Sequence, residues 1–169
     1  GVDIFGVTGE LVVYPKVTIG TSVPTEDTTL GNAGTIFLSS TTSPPFSTTY
    51  GCSVVLNDEI HILGSSSSTK KHYKWDGSSW ESVSTLPFDF KSGSAVVFNG
   101  EIHILGSGYY GDGDYPYSKY HYKWDGSSWN SVSTLPYNYY DGDAVVYNNE
   151  IHLMGSYYGV STYNKRHYK

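Results

Sequence analysis

Three segments of this 169-residue chain align without a gap: GCSVVLNDEIHILGS (Gly51 to Ser65), GSAVVFNGEIHILGS (Gly93 to Ser107) and GDAVVYNNEIHLMGS (Gly142 to Ser156). Each leads through a stretch of variable length to His-Tyr-Lys, at His72, His121 and His167. A sixteen-residue run then recurs from His72 to Pro87 and from His121 to Pro136 with one change, Glu81 to Asn130; the third copy stops at Lys169 before reaching it. A unit that repeats every 42 or 49 residues must stack on copies of itself, because one such unit cannot bury its own apolar face.

Within a unit the residues predict four β segments. SAVVF (Ser94 to Phe98) ends at Asn99-Gly100, a dipeptide that tolerates positive φ and so marks a hairpin. EIHIL (Glu101 to Leu105) ends at Gly106. KYHYKW (Lys119 to Trp124) closes on the turn DGSS, and WNSVSTL (Trp129 to Leu135) is stopped by Pro136. Composition agrees: 17 Tyr and 19 Gly, with few Ala, Met, Gln or Arg, disfavour helices and suit pleated surfaces. The expectation is an all-β protein of four-stranded antiparallel blades, since 40 to 50 residues is roughly the period of a propeller blade.

At these residues the sequence resembles the kelch repeat: a first strand ending in an Asn-Gly-like turn, a second ending in glycine, then a Tyr and, at a fixed distance, a Trp. The matching positions are Gly106, Tyr122 and Trp129, and Gly64, Tyr73 and Trp80. Two departures stand out, Gly-Ser in place of the family's double glycine and histidine (His61, His103, His152) in place of its second-strand tyrosine. The resemblance covers Gly51 to Lys169 and implies kelch-like β-propeller blades, two complete and a partial third. It implies no activity, because one fold hosts many functions.

A ring needs roughly four to eight blades. Upstream, Thr35 to Phe46 reads as a degenerate fourth strand, since Pro45-Phe46 stands before Gly51 as Pro87-Phe88 stands before Gly93 and Pro136-Tyr137 before Gly142. Either the chain is a segment of a longer array, or two copies join, each capping the other's open blade in a homo-oligomer or larger assembly. Residues 1–34 lie outside the repeat: Gly9 to Gly20 reads as a strand or strand pair, Thr21 to Gly34 as loop, together an arm or small β anchor.

In an up-and-down blade, the turns after strands one and three share one face, and those after strands two and four share the other. The first face is constant here, NDE, NGE and NNE with two WDGSS turns. The second varies, with 8, 15 and 12 steps from the strand-two glycine to the strand-three histidine. Its segments hold the candidate ligand-binding residues Tyr109, Tyr110, Asp112, Asp114, Tyr115, Tyr117, Tyr139, Tyr140, Tyr157 and Tyr158. Tyrosine among Gly, Ser, Asp and Asn offers large amphipathic contact area at low rotamer cost, suited to a glycan or a protein surface. The same tyrosines equally suit packing between loops in a Leu-poor chain.

Other chemistry is disfavoured. A net charge of −6 argues against nucleic acid, which needs clustered cations, and no apolar run approaches a membrane span. The single Cys52 excludes an internal disulfide and a cysteine zinc cluster. Two rows of histidine, one per unit, read as packing residues and not as a metal ring, and Asp112 with Asp114 supply too few oxygens for calcium. No nucleophile with a positioned base is evident, so no catalytic residue, metal or cofactor is expected. Near-identical arrays of this kind resemble kelch-type repeats of bacterial secreted and phage virion proteins. That implies a non-enzymatic decoration, receptor-binding or surface module, extracellular or on a virion. An intracellular scaffold for a protein partner is the alternative, and a propeller enzyme the third.

Overall fold

The computed structural model describes residues 41–108, 119–155 and 165–169, and the backbone alone of residues 3–4, 7–8, 118, 157–158 and 162–163. The chain divides into two compact units, Gly1–Ser40 and Thr41–Lys169. In the first, β1 (Asp3–Ile4) pairs antiparallel with β2 (Val7–Thr8). The expected strand over residues 9–20, the loop over 21–34 and the first part of the degenerate strand, 35–40, lie outside the described residues. Residues 41–46 of that strand are irregular.

The second unit is all-β, with no helix among the described residues. Its first blade is β3 (Cys52–Leu56), β4 (Glu59–Leu63), β5 (Lys71–Trp75) and β6 (Trp80–Thr85), in that spatial order. The second is β7 (Ser94–Phe98), β8 (Glu101–Ser107), β9 (Ser118–Trp124) and β10 (Trp129–Ser131). The third sheet has three strands, β11 (Gly142–Tyr147), β12 (Glu150–Gly155) and β15 (His167–Tyr168). A separate hairpin pairs β13 (Tyr157–Tyr158) with β14 (Thr162–Tyr163). All pairings are antiparallel.

The first turn of each blade has its two central residues at positive φ: Asn57 and Asp58, Asn99 and Gly100, Asn148 and Asn149. This is the primed hairpin turn, whose twist matches the strands it joins. The glycine after strand two proves to be a bulge inside β8, with the register shifting between Leu105 and Ser107. Gly106 sits at φ 66°, and a Cβ there would lie 2.0 Å from the Tyr139 carbonyl oxygen, so both backbone conformation and space demand glycine. Strand four is shorter than expected in the second blade, ending at Ser131. Val132 N–H and Leu135 N–H still donate to the His121 and Lys119 carbonyls, so the edge continues irregularly.

The core lies between blades. Leu56, Leu63, Leu86 and Phe90 of the first blade pack on Ile102, Ile104 and Trp124 of the second. Val96, Leu105, Leu135 and Tyr139 of the second pack on Leu153 of the third, beside Ala144 and Ile151. Each blade thus has a front face, carrying Val54/Val96, Leu63/Leu105 and Phe90/Tyr139. Its back face carries Ile102/Ile151 and Ile104/Leu153. Fully burying each of these side chains contributes roughly 1.5–3 kcal/mol.

Candidate functional site

All six histidines of the chain are drawn into one motif, used once per blade. His61 Nδ1 lies 2.8 Å from His72 Nε2, His103 Nδ1 lies 2.8 Å from His121 Nε2, and His152 Nδ1 lies 2.8 Å from His167 Nε2. Antiparallel register explains the pairing: Leu63 stands opposite His72, so His61, two residues back on the same face, reaches its ring diagonally. At 2.8 Å a proton joins the two nitrogens, which leaves no room for a metal between them. Two protonated rings would place donor against donor, so the bond requires at least one neutral ring.

The surroundings enforce that state. His72 is fully buried, with Trp124 and Trp129 of the next blade 5.4 and 5.5 Å from its ring centroid. Ser84 Oγ stands 3.1 Å from His72 Nδ1 and also accepts a hydrogen bond from Trp129 Nε1 at 3.0 Å. Burial, then the neighbouring His61, lowers His72 to a pKa of about 3. Burial and His103 lower His121 to about 4, against a small raising effect of the Ser133 backbone. His61 and His103 are lowered too, by burial first. Reading the histidines as two separate structural rows missed this pairing.

The only thiol is engaged in the same way. Cys52 Sγ–H donates to the Gly93 carbonyl at 2.9 Å, and at the aligned position Ser94 Oγ–H donates to the Gly142 carbonyl at 2.7 Å. Burial, partly offset by the backbone of Ala95, pushes the Cys52 thiol up to about 11. It is a blade-to-blade donor without thiolate character at neutral pH.

The constant face is equally structural. Asp76 Oδ1 accepts from the Ser78 and Ser79 amides, and Asp125 Oδ1 from those of Ser127 and Ser128, all at 2.8 Å. These bonds hold Asp76 down to about 2 and Asp125 below the usual carboxylate range. Beside them a lysine–glutamate pair recurs in each blade, Lys74 with Glu59, Lys123 with Glu101 and Lys169 with Glu150.

On the variable face the expected tyrosines divide. Tyr109, Tyr110, Asp112, Asp114, Tyr115 and Tyr117 lie outside the described residues, and Tyr157 and Tyr158 are described as the backbone of β13. Tyr139 and Tyr140 require correction as ligand-binding candidates. Both are fully buried, because the segment after Pro136 turns inward and wedges Tyr139 between blades, its hydroxyl 3.0 Å from Ser94 Oγ. Phe90 fills the same slot one blade earlier. Near the inner ends of the first strands the same face carries a shallow open groove of about 250 Å³. Small residues line it, at positions 52–53, 93–95 and 142–144, including Asp143. Among the described residues no three or more His, Cys, Asp or Glu side chains come together to hold a metal.

No protein-family model matches the chain, and no curated protein matches it. The solved structure of YjhT aligns with it at a TM-score of 0.64 and 17% sequence identity, over 74% of this chain and 43% of that one. The likeness is one of fold, and this chain spans less than half the length of YjhT.

Proposed function

We propose that the chain is a non-enzymatic structural and recognition module of kelch-like propeller blades, serving as a virion decoration, a receptor-binding component or a bacterial surface protein. The observation that carries this reading is the division of labour between side chains. The histidines hydrogen-bond to one another within blades, the thiol is held protonated between blades, and the two turn aspartates hold backbone amides. These histidines, this thiol and these two aspartates are thereby committed to the scaffold. The connections from strand two to strand three, by contrast, differ in length, and two of the three, Ser107 to Lys119 and Ser156 to Arg166, are rich in Tyr.

The candidate binding segment is the stretch from Tyr109 to Tyr117, with Tyr157 and Tyr158. Aromatic rings there would stack on apolar sugar faces while Asp112 and Asp114 accept from hydroxyls. A glycan array probed with the chain tests this. Binding to a restricted set of glycans, lost in the triple variant Tyr109→Ala, Tyr110→Ala, Tyr115→Ala with the fold retained, is the expected result. Absence of any glycan binding would overturn the carbohydrate reading.

A further inference from the structure

We propose that the exposed front face of the third blade is a docking surface for the exposed back face of the first blade of a second copy of this chain. Two copies meeting front to back at both junctions would then close one ring of six blades. Both faces are defined by the two junctions already formed within the chain. Val145 aligns with Val96, which is 7% exposed at the second junction, yet Val145 is 45% exposed. Ile60 aligns with Ile102, which has no exposed surface at the first junction, yet Ile60 is 40% exposed. Tyr147 on the front is exposed as well. One unmatched front and one unmatched back remain, each built from the residue types that complete the other.

The segment before the first blade points to the same occupant. Trp80 Nε1 donates to the Thr42 carbonyl at 3.2 Å, as the aligned Trp129 donates to Ser84; Thr42 and Ser84 both stand three residues before a proline. Phe46 packs on Tyr73 as Phe88 packs on Tyr122 and Tyr137 on Tyr168. The Ser92 amide donates to the Tyr50 carbonyl as the Asp141 amide donates to that of Ser92. The back of the first blade therefore already holds the closing end of a preceding blade. Among the described residues the third sheet has β15 as its edge strand, with no fourth strand beside it. Joined front to back, the second copy's Thr42 would meet His167 as Ser84 meets His72. Its Trp75 and Trp80 would cover that ring as Trp124 and Trp129 cover His72. Three blades from each chain fall within the roughly four to eight that close a ring.

The solution mass of the 169-residue chain across a concentration series is the test. A constant mass of twice 18.6 kDa is expected. A constant single-chain mass overturns the proposal, and so does a mass that grows without limit, as an open stack would. Ile60→Asp and Val145→Asp, both at exposed positions, are expected to fold, checked by circular dichroism, and each alone to give single-chain mass. An unchanged double mass in either would place the junction elsewhere. Mixed, the two variants share one unaltered junction and should regain the double mass, whereas a mixture that stays at single-chain mass overturns the front-to-back geometry.

Discussion

Lowering the pH toward about 5 should destabilise this protein, because His72 and His121 stay neutral in the folded chain while the same side chains charge in the unfolded one. The folded values of His72 and His121 are about 3 and about 4, against 6.5 for the free side chain. The unfolded chain therefore takes up protons that the folded chain refuses. Stability is full above the unfolded value and falls as pH drops from 6.5 toward the folded values. At pH 5 the fully buried His72 costs about 2 kcal/mol and the more solvated His121 less, so the two together remove roughly 2–4 kcal/mol. That is a large share of the roughly 5–15 kcal/mol that holds a domain folded. Urea unfolding followed by tryptophan fluorescence, at neutral pH and near pH 5, measures the difference. The expected result is a much lower midpoint at pH 5 with an uptake of close to two protons per chain. An unchanged midpoint, or one that rises in acid, would refute the reasoning.

Two further outcomes follow from the blade junctions. Gly106→Ala should destabilise the chain by at least about 2 kcal/mol, from a left-handed φ and from overlap with the Tyr139 carbonyl; equilibrium denaturation is the check, and a change under half that size would mean the Tyr139 backbone moves aside freely. Cys52 should resist alkylation at neutral pH and react fully once unfolded, because burial raises its pKa to about 11; rapid labelling of the folded chain would contradict its place between blades.

How far the structure could be read from sequence depended on the range of the interactions. Asn99-Gly100 and Gly106 were legible because local backbone geometry alone selects those residues, and Pro87-Phe88 because Pro45-Phe46 and Pro136-Tyr137 repeat it. The histidine pairs were not legible as pairs. Bringing His61 to His72 depends on cross-strand register, and the variable loops between strands two and three hide register from a linear reading. Tyr139 and Tyr140 misled for a different reason. In PYNYYD they share the composition of a recognition loop, and composition carries no direction for a side chain. The alignment of Phe90 with Tyr139 held the missing signal, since an apolar ring at the same step after the proline marks a core slot. Strand four of the second blade was read too long because alternation continues through Val132 to Leu135 while the paired backbone becomes irregular after Ser131.

The central claim is that one interface, formed twice within the chain, is formed twice more between two copies. Small-angle X-ray scattering of the purified chain tests it most directly, because a pair of chains and a single chain differ in size. For a compact pair of chains the radius of gyration should be about 20 Å, against about 15 Å for a single compact chain. The account predicts the larger value, unchanged on dilution. The smaller value, or one that climbs steadily with concentration, would contradict it.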